Sequence, residues 1–154
     1  MNNIEIEKLI KISYEIRKDV INMLAKAGSG HLGGSLGMAD IFTVLYFNEL
    51  KHDPLQPDWE LRDRVIVSNG HIAPVWYATL SNAGYFSKKE LFSLRQFGSR
   101  LQGHPSRLSG LPGIESSSGS LGQGLSVATG MALAAKFFQS DYRVFCLMGD
   151  GELQ

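Results

Sequence analysis

Arg64-Val65-Ile66-Val67-Ser68-Asn69-Gly70-His71 is the stretch on which the fold turns. Arg64–Ser68, with three β-branched apolar residues, reads as a short strand. The strand runs into Asn69-Gly70-His71, and a helix over about Pro74–Asn82 is predicted beyond it, with Pro74 in its first turn. Tyr142–Met148 is a second apolar run without alternation, the pattern of a buried parallel strand. It too ends in glycines, Gly149-Asp150-Gly151. Two strands separated by helical sequence predict an α/β fold with a parallel sheet flanked by helices.

Outward from these strands the pattern is helical. Ile4, Ile6, Leu9, Ile10, Ile16, Val20, Ile21 and Leu24 recur at helical spacing, so residues 3–27 read as one amphipathic helix with Gly28 as its C-cap. A Gly-rich segment follows to Gly37, and Met38–Leu50 reads as a buried helix, apolar nearly all round. Residues 52–60, with Pro54 and Pro57, are a loop, and Ser87-Lys88-Lys89-Glu90 is a capping box opening a short helix. Residues 98–119 form a long Gly-, Pro- and Ser-rich loop, a length that is usually functional or disordered. Leu121–Phe138 reads as a helix rich in Gly, Ala and Ser, suited to close packing. Nothing repeats, and residues 1–154 read as one domain.

Fifteen basic and fifteen acidic residues cancel, which gives no electrostatic footprint for nucleic acid or an anionic membrane. The uncharged run Val65–Ser87 contains Asn69, Gly70, Pro74, Asn82 and Gly84, which argues against a membrane span. The N-terminus has no apolar signal region, so a cytoplasmic protein is expected. A single cysteine, Cys146, excludes an internal disulfide and reads as a small core residue.

Three of the four histidines sit beside glycine: His31, His71 and His104. Imidazoles on Gly-rich turns lie close to backbone and can transfer protons. Gly28-Ser29-Gly30-His31-Leu32-Gly33 spells the dinucleotide pattern, but a helix rather than a strand precedes it, so nucleotide binding is not expected. His71 lies just past a strand end, where α/β proteins bind ligands. His52 reads as an ordinary solvated residue. Gly119-Ser120-Leu121-Gly122-Gln123-Gly124 opens a helix, where free amides suit an anion or a flat ligand. Asp150, between two glycines at a strand end, suits a hard cation held with a diphosphate. Each of these has a plain structural alternative in a tight turn.

Together and in this order, GSGHLGGSLG (28–37), SNGH (68–71), GHP (103–105), LPGIESSSGSLGQGLSVATGMA (111–132) and GDGELQ (149–154) resemble transketolase. The likeness runs from about Leu24 to Gln154 and is most specific over Leu111–Ala132. It implies part of a three-layer thiamine-diphosphate-binding fold, incomplete at the C-terminus. It also implies thiamine diphosphate and Mg²⁺ as cofactors, with Ca²⁺ or another divalent cation able to substitute. The implied activity carries a two-carbon ketol unit between a ketose phosphate and an aldose phosphate, in carbohydrate metabolism. Asp150 is then a metal ligand and Gly151 a diphosphate contact. His71 is identified as the histidine at the diphosphate and reacting centre. His31 and His104 face the sugar, and Gly119 and Leu121 lie near the cofactor's rings.

There are departures from the family pattern. The first turn reads GHLG rather than GHPG, and Ser106 replaces an acidic neighbour of His104. The Asn that closes the family's metal motif does not occur after Gly151, so the isolated chain is expected to be inactive and to bind cofactor weakly at best. Expected partners are a second copy and/or a C-terminal transketolase subunit. Two other readings stay open at this point: a related thiamine enzyme such as deoxyxylulose-phosphate synthase, and a non-catalytic interaction domain.

Overall fold

The computed structural model describes residues 3–154. It contains α1 (Asn3–Ala27), α2 (Leu32–Gly37), α3 (Ala39–Val44), β1 (Arg64–Val67), α4 (Ala73–Ala83), α5 (Gln123–Phe137) and β2 (Val144–Leu147). β1 and β2 pair in parallel with Arg64 opposite Val144 and Val67 opposite Leu147. α4 lies directly after β1, and its residues Ala73–Ser81 are all buried. Trp76 anchors it, donating its indole N–H to the Tyr46 hydroxyl at 2.7 Å.

Val65 and Val67 join the core formed by Ile16, Val20, Met23, Phe42, Trp76 and Leu80. Ile66 is fully buried but alternates out of that cluster, as the two-residue period of a strand requires. α5 also packs on the sheet, giving helices, sheet and helix as three layers. Asp63, just before β1, holds the two strands in register. Its carboxylate accepts the Arg143 amide at 2.7 Å, the Lys51 amide at 3.0 Å and the Arg143 guanidinium at 2.8 Å.

The predicted strands and long helices are present, and several details differ. α1 ends where expected, with Gly28 at φ +66° and its amide bonded to the Leu24 carbonyl. Its apolar stripe is only half covered: Ile16, Val20 and Leu24 are buried, while Ile4, Ile6, Ile10 and Ile21 stay exposed. The Gly-rich segment is not all loop, because Leu32–Gly37 winds into α2. The helix expected over Met38–Leu50 widens into a π-turn at Leu45–Glu49, and Ile41 and Val44 face outward.

The capping box at Ser87 is half formed. Ser87 accepts the Lys89 amide, but the Glu90 carboxylate pairs with Arg100 instead of returning to the cap. Cys146 is only partly buried, because β2 has a strand neighbour on one side alone among the described residues. His52 is not a free surface residue. Its Nε2 meets the Tyr46 carbonyl at 2.7 Å, so that nitrogen carries the proton, and Nδ1 accepts from the Tyr85 hydroxyl at 2.9 Å. Burial pushes the Tyr85 hydroxyl up to about 12, which keeps it a donor. Among the described residues, no helix is long and apolar enough to cross a membrane.

Candidate functional site

Parallel pairing puts the carboxyl ends of β1 and β2 on one edge of the sheet, the edge where α/β folds bind ligands. Ser68-Asn69-Gly70-His71 leaves β1 there, and Gly149-Asp150-Gly151 leaves β2. Two further segments reach this edge from far away in sequence. The turn before α2 brings His31, and the long loop brings His104 and Gly119.

His31, His71 and His104 converge. The His31 and His71 rings are edge-to-face with centroids 5.3 Å apart, and His31 and His104 are 6.4 Å apart. Close backbone approach makes this possible. A Cβ on Gly70 would lie 2.9 Å from the Gly119 nitrogen and 2.8 Å from the Ser118 carbonyl carbon, so the His71 turn packs directly on the Gly119 turn. A Cβ on Gly119 would in turn sit 3.5 Å from the His104 ring. His31 and His104 are exposed and His71 is half-buried, so the cluster is open to solvent. Burial, then His31, Arg95 and His71, pull the His104 imidazole below its ordinary value. It is thereby biased toward the neutral form that can accept a proton.

Asp150 and Gly151 follow the end of β2. Both are exposed in the final 3₁₀ turn, Asp150–Leu153. The Asp150 carboxylate makes no hydrogen bond or ion pair with any described residue. Among the described residues, no three of His, Cys, Asp and Glu could together hold a metal ion. Leu121 is exposed just ahead of α5.

Sequence reasoning missed three participants. Glu152 links the last turn to the rest of the site. Its Oε1 accepts from the Ser68 hydroxyl at 2.5 Å and the Gly122 amide at 2.9 Å, while Oε2 accepts from the Gly149 amide at 2.6 Å. Burial pushes this carboxyl up, but the Gly122 amide, Ser68, the Gly149 amide and nearby His71 outweigh it and hold it below the usual range. Arg95 is the second. It adopts φ +61°, rare for a non-glycine residue, and its guanidinium covers Gly103, where a Cβ would lie 3.1 Å away. Asn69 and Ser118 make the third: Asn69 Oδ1 and Ser118 Oγ are buried beside the Gly70–Gly119 contact with no hydrogen-bond partner. Unsatisfied buried polar atoms mark a place that a water or a ligand completes. A carboxylate free for a cation, an open glycine turn beside it and a cluster of exposed imidazoles together fit a metal-bound diphosphate cofactor.

The fold defines a parallel α/β domain with a histidine cluster at the carboxyl edge of its sheet. Residues 9–154 match the family described as transketolase, thiamine diphosphate binding domain. The chain is 42% identical over 148 residues to one of the subunits of apulose-4-phosphate transketolase from Phocaeicola vulgatus, covering 96% of this chain and 52% of that protein. It is 41% identical over 137 residues to the 6-deoxy-6-sulfo-D-fructose transketolase subunit SqwG of a Clostridium species, covering 89% and 50%. The structure superposes on transketolase from Campylobacter jejuni with a TM-score of 0.89 at 37% identity, over 100% of this chain and 25% of that one. The chain belongs to the transketolase family, in its thiamine diphosphate binding domain. It spans about half the length of the two subunit relatives it matches.

Proposed function

We propose that this chain supplies the N-terminal part of the diphosphate-binding half of an enzyme that transfers a two-carbon ketol unit from a ketose phosphate to an aldose phosphate, with thiamine diphosphate and a divalent cation, Mg²⁺ in the first place. The observation that carries the reading is the meeting of His31, His71 and His104, delivered by three separate segments to the carboxyl edge of the sheet. When bound, thiamine diphosphate supplies the carbon centre that holds the two-carbon unit between donor and acceptor. The chain's own residues do the rest. Asp150 gives the cation a carboxylate oxygen, and Gly151 presents backbone to the diphosphate. His71 contacts the diphosphate and the reacting centre, and Gly119 and Leu121 face the cofactor's rings. His31 and His104 face the sugar, orient its oxygens and take or return protons there.

Named relatives act on a sugar phosphate and a sulfo-sugar, ketoses with an anionic tail. That supports phosphorylated sugars as the substrate class. Relatives named as subunits support a complementary C-terminal subunit as a partner, and a second copy of the chain is the other partner of the proposal. We place the assembled enzyme in the cytoplasm.

The test is a transfer assay on the assembled enzyme with xylulose 5-phosphate and ribose 5-phosphate, run beside pyruvate plus glyceraldehyde 3-phosphate. Turnover of the first pair supports the proposal, and turnover of the second pair alone sinks it. His104→Ala is expected to lower kcat by about 100-fold or more, the usual contribution of a positioned acid–base group. An unchanged kcat would remove His104 from the proton path.

A further inference from the structure

The Glu152 carboxylate bridges the ends of β1 and β2 and the start of α5. It reaches across 84 residues to Ser68 and across 30 to Gly122, and back three residues to Gly149. Ser68 is fully buried and extends the link, because its Oγ also accepts the Gly124 amide at 3.1 Å. Both oxygens of Glu152 are committed, Oε1 to two donors and Oε2 to one. Among the described residues no other side chain hydrogen-bonds the turn that carries Asp150 and Gly151: a Cβ on Gly151 meets nothing within 4 Å, and Asp150 has no described partner.

We infer that Glu152 is a positioning residue whose carboxylate clamps the Gly149–Gly151 turn onto the end of β1 and the start of α5, and so sets where Asp150 and Gly151 meet the metal-bound diphosphate. The inference rests on the proposed function for the identity of that ligand. The clamp itself is visible without it. A carboxylate is required because every partner of Glu152 donates. Glutamine has nearly the same shape but only one acceptor oxygen. Placed on Ser68 and Gly122, it turns its NH₂ against the Gly149 N–H; flipped, it faces the Gly122 N–H with another donor. Glu152→Gln therefore separates a clamp from a filler of space.

The experiment uses the assembled enzyme as wild type, Glu152→Gln and Glu152→Ala. Two quantities are read: the thiamine diphosphate dissociation constant at fixed Mg²⁺ by calorimetry, and amide hydrogen exchange of the cofactor-free protein. Both variants are expected to bind thiamine diphosphate about tenfold more weakly, the size of one lost hydrogen bond to a charged group. The amides of Gly122 and Gly149 are expected to exchange faster, with protection in α1 and α4 unchanged. Wild-type affinity in Glu152→Gln overturns the clamp in favour of packing alone. Protection lost throughout the domain in both variants overturns it in favour of a general structural role. Wild-type enzyme that takes up no thiamine diphosphate overturns the proposed function and this inference with it, whereas wild-type uptake with unchanged variants overturns this inference alone.

Discussion

His104 carries the most information of any single residue in the histidine cluster. It is exposed, yet partial burial and the facing His31, Arg95 and His71 lower its proton affinity. An imidazole that titrates below the ordinary 6.5 is neutral at neutral pH and free to accept a proton. Proton-detected titration of the ring should place His104 below 6.5, and His31→Ala should move it back up. A midpoint at or above 6.5 in the wild-type protein would remove the electrostatic argument.

Gly124 is decisive for a different reason. A Cβ there would lie 2.4 Å from Ser68 Cβ and 2.6 Å from its Cα, so α5 can rest on the end of β1 only with no side chain at that position. Gly124→Ala is expected to cost about 3 kcal/mol, the upper range for overpacking, read as a lowered thermal midpoint. Gly130, on the same helix, meets nothing within 4 Å, and Gly130→Ala should be neutral or stabilising.

At the scale of elements, Asp63 does for the sheet what Glu152 does for the site. Burial raises its carboxyl, but the Arg143 side chain and the amides of Lys51 and Arg143 outweigh burial and leave it below 3.8. A carboxylate with a depressed folded value contributes stability that is complete above the unfolded value and lost as pH falls through the folded one. Asp63→Asn should therefore cost about 2 kcal/mol near neutral pH, the value of hydrogen bonds to a charged group. The difference from wild type should shrink below 3.8 and vanish in strong acid, as followed by urea unfolding across pH. A difference independent of pH would assign the loss to shape rather than charge.

Elements also show what the sequence can reveal. α1, α4, α5 and both strands follow from periodicity, β-branching and caps such as Gly28, because those signals are local. The meeting of the three histidines is implied only by resemblance, since segments so far apart carry no local mark of contact. Glu152 is invisible for the same reason: its partners Ser68 and Gly122 lie 84 and 30 residues away. His52 misleads because its Gly-free, Pro-containing loop looks solvated, whereas Tyr46 and Tyr85 take both ring nitrogens. The π-turn at Leu45–Glu49 has no clear mark in an apolar run that suits an α-helix equally well.

At the scale of the molecule, apolar surface is unevenly placed. The helical core around Trp76 is closed, while α5 exposes Leu125, Val127, Leu133 and Phe137, continued by Phe138 beyond its end. α1 adds Ile4, Ile6 and Ile10, and a groove of about 440 Å³ between Ile41, Val44, Phe145 and Leu147 opens beside β2. The sheet has two strands, so each strand presents one edge without a strand neighbour among the described residues. Unpaired edges and apolar patches both favour association. Net charge is zero, so no long-range repulsion opposes it. The 154-residue chain by itself is expected to self-associate with rising concentration in sedimentation velocity. Leu133→Lys with Phe137→Lys should shift it toward monomer without lowering its thermal midpoint, because both side chains are largely exposed, at 62% and 80%. A single sharp monomer boundary at every concentration would show that the polar surface between these patches is enough to keep the copies apart.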